Sequence, residues 1–242
     1  MTEKTISDVF KLLDDWRHLP KYQLERRADI YFALFLPVVL KGRFNLNAEP
    51  AIIPEFPLRK ATLGIDSKGE ESKNADFFAY SEGDEKVLLV ELKTDMKSRR
   101  DNQDDYLKTA KTKSLKELIE GVVCISKATT DYGKYAHLLH RLSLLRLVSG
   151  CDQVGKLASC EKKNGWKAAV GKVRNEVKGE IHPHIVYILP EKSQELPKEF
   201  TQITFDEFAD VVEHYSEIGK RFACSLRRWA KQDAGTMTPG GP

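Results

Sequence analysis

Three charged residues stand inside stretches that otherwise read as buried strand: Asp76, Glu91 and Lys93, within "ADFFAYSEGDEKVLLVELK" (75–93). The "EGDE" between two apolar runs is a hairpin signal, because glycine at the first central position suits a type II′ turn. With Gly83 and Asp84 as the loop, cross-strand partners have numbers that sum to 167. Asp76 and Glu91 would then face each other, with Cβ atoms about 4.5–5.5 Å apart. A four-residue loop centred on the same bond keeps that register. Lys93, two residues beyond Glu91, falls on the same face, while Leu88, Val90 and Leu92 point the other way. Two facing carboxylates among apolar neighbours need positive charge between them. Lys93 supplies part of it, and a hard divalent cation such as Mg²⁺ or Mn²⁺ supplies it better. The competing reading is the solvated face of an antiparallel sheet, where charges are ordinary. Phe78, Tyr80, Val87 and Leu89 share that face and argue against it, since they confine the charges to one end of an apolar surface.

The elements around this hairpin follow from periodicity. Ile6, Val9, Phe10, Leu13 and Trp16 recur at helical spacing, which predicts a helix over 6–16. A second helix is predicted over 22–36, carrying Glu25 and Asp29 and stopping near Pro37, which lacks the donor a continuing helix uses. The segment "PAIIPEFPLRK" reads as an edge strand broken by prolines. Strands follow over 75–81 and 86–94, then a helix over 101–110 and a helical stretch over 115–148 that breaks around 131–133. A Lys-rich, glycine-punctuated stretch of about 150–180 reads as an insertion with few apolar anchors beyond Trp166 and Val170. The run "HPHIVYILP" is a further buried strand, 205–230 a last helix, and 235–242 a disordered tail. This order predicts one α/β domain over 1–234, with a mixed central sheet flanked by helices.

Composition narrows the class. The chain has 242 residues, 41% hydrophobic and 31% charged, with a net charge of +3. Such a balance permits a nucleic-acid partner without arguing for one. The longest apolar run, "IYFALFLPVVL", is too short to cross a membrane, and the acidic, amphipathic N-terminus does not read as a signal peptide. Cys124, Cys151, Cys160 and Cys224 show no paired spacing and read as free thiols of a cytoplasmic protein.

An aspartate followed fifteen residues later by Glu-x-Lys on a strand resembles the PD-(D/E)XK nuclease superfamily, with its restriction-endonuclease-like fold. The matching residues are Asp76 and Glu91-Leu92-Lys93, with Ala75 where many members have proline. The resemblance implies an αβββαβ core and an acidic residue on the preceding helix, for which Glu25 fits and Asp29 competes. It also implies Mg²⁺, or Mn²⁺ as a substitute, held by Asp76, Glu91 and the backbone carbonyl of Leu92. Hydrolysis of phosphodiester bonds would follow, on DNA ahead of RNA, leaving a 5′-phosphate, with Lys93 beside the attacking water. The alternative on the same fold is a non-cleaving nucleic-acid-binding or regulatory module. A purely structural ion pair of Lys93 with Glu91 or Asp76 is the third reading. A homo-oligomer is compatible with all three.

Supporting residues lie close in sequence. Some exonuclease-like branches place Gln and Tyr on the helix after Glu-x-Lys, and Gln103 and Tyr106 fit, to contact substrate or to support Lys93. Lys97, Arg99 and Arg100 follow the motif directly and could hold phosphates, as could Lys108, Lys111, Lys113 and Lys116. Trp166 could stack a base, although packing is the simpler role. Arg59 and Lys60 either border a groove or make edge-strand ion pairs. His182 and His184, with Pro183 between them at a strand start, read as structural, and His137 and His140 share a helix face without a third ligand in reach.

Overall fold

The computed structural model describes residues 5–67, 69–96, 101–157 and 163–233. Its strands are β1 (Ala51–Arg59), β2 (Ser72–Ser81), β3 (Lys86–Leu92), β4 (Val148–Ser149), β5 (Arg174–Asn175), β6 (His184–Leu189) and β7 (Thr201–Thr204). Its helices are α1 (Ile6–Trp16), α2 (Leu24–Phe44), α3 (Asp101–Thr112), α4 (Leu115–Ala128) and α5 (Tyr132–Leu144), followed by α6 (Val154–Leu157), α7 (Lys163–Val170), α8 (Phe205–Val212) and α9 (Glu217–Asp233). Five strands form a mixed sheet in the order β1-β2-β3-β6-β7, with β6 and β7 parallel, and β4 pairs with β5 in a small second sheet. The chain is thus α/β, with a mixed sheet flanked by helices. It divides into two compact units, one of Met1–Ile52, Val90–Gln103 and Ile185–Pro242, the other of Ile53–Leu89 and Asp104–His184.

The first unit is built on aromatic packing. Phe222 of α9 lies within 5.0–6.2 Å, centroid to centroid, of Phe10, Tyr31, Phe32, Phe35, Phe208 and Trp229. This cluster explains why α2 does not stop at Pro37. The helix continues to Phe44 because Val39 and Leu40 are buried on the same face as Phe32, Phe35 and Leu36. Burying two such side chains contributes about 1.5–3 kcal/mol each, which offsets the ~3 kcal/mol cost of an interior proline. The helix ends instead at Asn45, which adopts a left-handed φ of 50° while Leu46 N–H donates to the Lys41 carbonyl. The single helix expected over 205–230 is two, parted around Glu213–Ser216. Thr204 ends β7 and caps α8, accepting from Glu207 N–H at 3.1 Å while its own N–H donates to the Glu207 carboxylate.

The second unit places β1 at the edge of the sheet, the position where a strand carrying Pro54 and Pro57 is tolerated. Arg59 donates from Nε and a terminal nitrogen to the two oxygens of Glu70, and Lys60 pairs with Glu71, so both cations serve edge ion pairs. The β2–β3 turn is a four-residue loop, Glu82–Glu85, in which Glu85 N–H donates to Glu82 O. Glu85, at φ 47°, carries the left-handed conformation that the type II′ expectation assigned to Gly83. The helical stretch breaks as expected, into α4 and α5, with Asp131 at the N-cap of α5. The Lys-rich stretch is better anchored than its composition suggested. Trp166 is fully buried, donates its indole N–H to Ser126 O and packs on Tyr132, and Val154, Ala169, Val170 and Val173 are buried with it. Base stacking by Trp166 is therefore excluded in favour of packing. The tail and Cys160 lie outside the described residues.

Two stability tests arise here. A Cβ on Gly219 would meet Val212 O at 2.2 Å, where α9 begins against the end of α8, whereas Gly42 has nothing within 4 Å. Gly219→Ala is expected to cost about 1–3 kcal/mol and Gly42→Ala to be neutral or stabilising by up to about 1 kcal/mol, read by urea denaturation. The Arg59 hydrogen bonds hold the Glu70 carboxyl below its ordinary pKa. Its contribution is present above the ordinary carboxylate range and is lost as pH falls through the lowered value. Glu70→Gln should therefore lower Tm at pH 7, and the gap to wild type should close in acid.

Candidate functional site

Strand β3 is central in its sheet, and Val87 to Leu92 are all buried, so neither of its faces reaches water. That removes the solvated-face explanation for its charges. Glu91 is 0% exposed and Lys93 5%. An isolated carboxylate in such a place would cost several kcal/mol, and local chemistry supplies the compensation. Lys93 Nζ donates to Glu91 Oε1 at 2.6 Å, and Gln103 Nε2 donates to the same oxygen. Lys93 N–H donates to Ile188 O at 2.9 Å, which fixes the end of β3 beside β6 and sets the direction of the lysine side chain.

Helix α2 contributes the fourth member. Glu25, in its first turn, places Oε2 3.9 Å from Lys93 Nζ, and about a third of its side chain is exposed. The positive end of the helix dipole suits a carboxylate there. Of the two acids proposed for this helix, the structure brings Glu25 to the lysine. Asp29 is exposed, and its Oδ1 accepts from the backbone N–H of Ile30. The first unit thus gathers Glu25, Glu91, Lys93 and Gln103 around one buried ammonium.

The remaining expected residues are placed as follows. Asp76 lies on β2, half-buried between buried Ala75 and Phe77. The loop of Glu82–Glu85 has the length and centre that the Asp76–Glu91 arithmetic requires. Leu92, whose carbonyl was assigned to a metal, is 1% exposed. Tyr106, expected at the substrate, is 7% exposed and donates its hydroxyl to Asn74 O at 3.0 Å, a contact that braces β2. Gln103 likewise stands in a supporting position, on Glu91. Arg99 and Arg100, with Lys97, lie outside the described residues. Lys108 and Lys116 are exposed, and Lys113 lies 3.6 Å from Glu117. The sequence offered Gln103 as a contact for substrate or a support for Lys93, and the structure has the two share Glu91 Oε1. The position of Gln103 shortly after a buried Glu-x-Lys strand end, at the opening of a helix, was the available signal.

Among the described residues no three His, Cys, Asp or Glu side chains gather as metal ligands. The set assigned to Mg²⁺ has a different form, two side chains and a backbone carbonyl. The donors assigned to it, two carboxylates and a carbonyl, are the oxygen ligands that a hard cation takes. No protein family, curated protein or solved structure matches the chain.

The burial of the pair makes a direct prediction. Lys93→Met leaves a buried carboxylate without its ammonium and should cost about 3–5 kcal/mol in chemical denaturation. The double variant Glu91→Leu/Lys93→Met should recover most of that loss. Gln103→Leu removes one donor and should cost about 1–3 kcal/mol.

Proposed function

We propose that the protein is a metal-dependent nuclease with a restriction-endonuclease-like core, hydrolysing phosphodiester bonds in DNA in preference to RNA. The observation that carries this reading is the buried Lys93 ammonium at the end of the central strand, held between Glu91 and Glu25. A lysine positioned by acids, at the end of a strand following a hairpin, is the arrangement that the Asp76, Glu91-x-Lys93 spacing implies. The proposal takes Asp76 from the hairpin arithmetic and the matching loop length.

In this reading Asp76, Glu91 and the Leu92 carbonyl hold Mg²⁺ or Mn²⁺. Bound there, the cation supplies positive charge to a phosphoryl oxygen and acidity to a coordinated water. Lys93 keeps its ammonium aimed at the reacting water and offsets charge that develops on the phosphoryl group. Glu91 holds Lys93 in place through Oε1, and Gln103 holds Glu91. Glu25, partly open to solvent, orients a second water or accepts its proton.

A second reading rests on the same burial. The Lys93–Glu91 pair is enclosed enough to be kept for the structure alone, on a fold that binds nucleic acid without cutting it. Cleavage of labelled single- and double-stranded DNA and RNA in Mg²⁺ tests both. The nuclease reading expects wild type to cut, and Asp76→Asn and Glu91→Gln to lose about 10²–10⁴-fold. Asp76→Asn should retain the wild-type Tm in metal-free buffer. Wild type that binds nucleic acid but cuts nothing would leave the non-cleaving module. An Asp76→Asn variant cutting at the wild-type rate would remove this site from the chemistry.

A further inference from the structure

Helix α1 turns a stripe of large apolar side chains to solvent. Val9, Leu12 and Trp16 are 40%, 45% and 42% exposed, and Leu19 beyond them is 54% exposed. At 100° per residue, Leu12, Trp16 and Val9 lie side by side on one face, next to the face that buries Phe10 and Leu13. The neighbouring helix α2 exposes Ile30 and Leu34, at 66% and 58%. Val9, Leu12, Trp16 and Leu19 together expose apolar surface on the order of 300 Å², a size at which exposed patches are often functional.

The stripe cannot roll inward. On the other side of α1, Asp14 accepts from the Trp229 indole N–H at 2.7 Å and from Arg228, both on α9. Phe10 packs on Tyr31 at 4.7 Å and on Phe222 at 5.9 Å. These contacts fix the rotation of the helix and leave Val9, Leu12 and Trp16 facing out.

The charges beside the stripe identify its occupant. Asp8, Lys11 and Asp15 flank it on one side, with Lys11 75% exposed at its side chain and 3.8 Å from Asp8. In an antiparallel pair of helices, identical flanks face each other in reversed order. With a two-fold axis near Leu12, Val9 of one copy meets Trp16 of the other and Leu12 meets Leu12. The same axis brings Lys11 of each copy to Asp15 of the other. The stripe and its flank are therefore complementary to themselves. An anionic lipid surface is disfavoured, because the flank carries two acids and one base.

We infer that α1 is a self-association surface through which two copies of this chain pair antiparallel, sealed by two Lys11–Asp15 contacts. Two such stripes cover on the order of 600 Å² of apolar surface, below the roughly 1,200 Å² of a standard interface, so the dimer is weak, with Kd in the range of about 1–100 μM. This association is independent of the nuclease reading.

Sedimentation equilibrium of the full chain at low salt tests it. Wild type should dimerise in that range, and Leu12→Asn should be monomeric throughout. Lys11→Glu and Asp15→Lys each set like charges together twice and should each weaken dimerisation about tenfold. An equimolar mixture of those two variants should form a heterodimer. In it the two introduced side chains, of opposite charge, meet at one contact, and the unaltered Asp15 and Lys11 meet at the other. Circular dichroism checks that each variant keeps its helices, and the mixture serves as the internal control for folding. A monomeric wild type up to millimolar concentration would overturn the inference. So would a dimer indifferent to Leu12→Asn, or charge variants that do not complement each other.

Discussion

The arrangement of the first unit turns on one constraint, that Glu91 and Lys93 are charged where β3 offers no water. Each makes the other tolerable. A carboxylate and an ammonium in contact regain through their attraction what burial takes away only when the geometry is good and the remaining hydrogen-bonding capacity is used. Here Lys93 meets Glu91 at 2.6 Å and Gln103 joins on the same oxygen. The bond from Lys93 N–H to Ile188 O matters for the same reason, since it fixes the strand end from which the lysine reaches.

Glu25 connects that buried pair to solvent. Its position depends on α2, and α2 depends on the aromatic cluster around Phe222, which holds Phe32 and Phe35 and makes the passage through Pro37 affordable. A rigid helix, seated by packing far along its length, presents one carboxylate at its first turn to the lysine. The exposure gradient, from Glu91 and Lys93 at a few per cent to Glu25 at 34%, gives the group one partly open side.

Much of this was legible in the sequence, because the relevant signals are short-range. An all-apolar "VLLV" ahead of Glu-x-Lys identifies a buried strand with charges at its end, and the number of residues between the strands gives the loop. Helix α1 followed from periodicity, and the break before α5 falls where it was expected, at 131–133. The failures have a common cause in tertiary context. Proline marks a helix end only when nothing beyond it is worth burying, and Val39 and Leu40 are. Strand β7, with the sequence TQIT, carries no apolar run and exists because β6 offers it a parallel edge. Trp166 looked like one anchor in a polar stretch, and only the fold shows the Ser126 carbonyl and Tyr132 waiting for it. The choice between Glu25 and Asp29 required knowing the direction in which the start of α2 faces.

Charge arithmetic joins the metal and nucleic-acid readings into one. The proposed site sets the carboxylates Asp76, Glu91 and Glu25 against Lys93, and a phosphodiester brought to it would add another negative charge. At about 4 Å two like charges repel by about 4 kcal/mol at an effective dielectric constant of 20. On the proposed reading, the carboxylates Asp76, Glu91 and Glu25 outnumber Lys93, so a nucleic-acid backbone would be repelled there without a further positive charge. A second source of positive charge has to be present before a phosphate approaches. Basic side chains elsewhere on the surface can raise the local concentration of the polymer, but they do not change the charge inside this group. A divalent cation on the proposed ligands Asp76 and Glu91 would, because it offsets their charge at the place where phosphate oxygens would arrive. In the proposed nuclease reading, phosphate chemistry at Lys93 would thus depend on the cation, and a cluster that never takes one would be confined to holding the end of β3 in place.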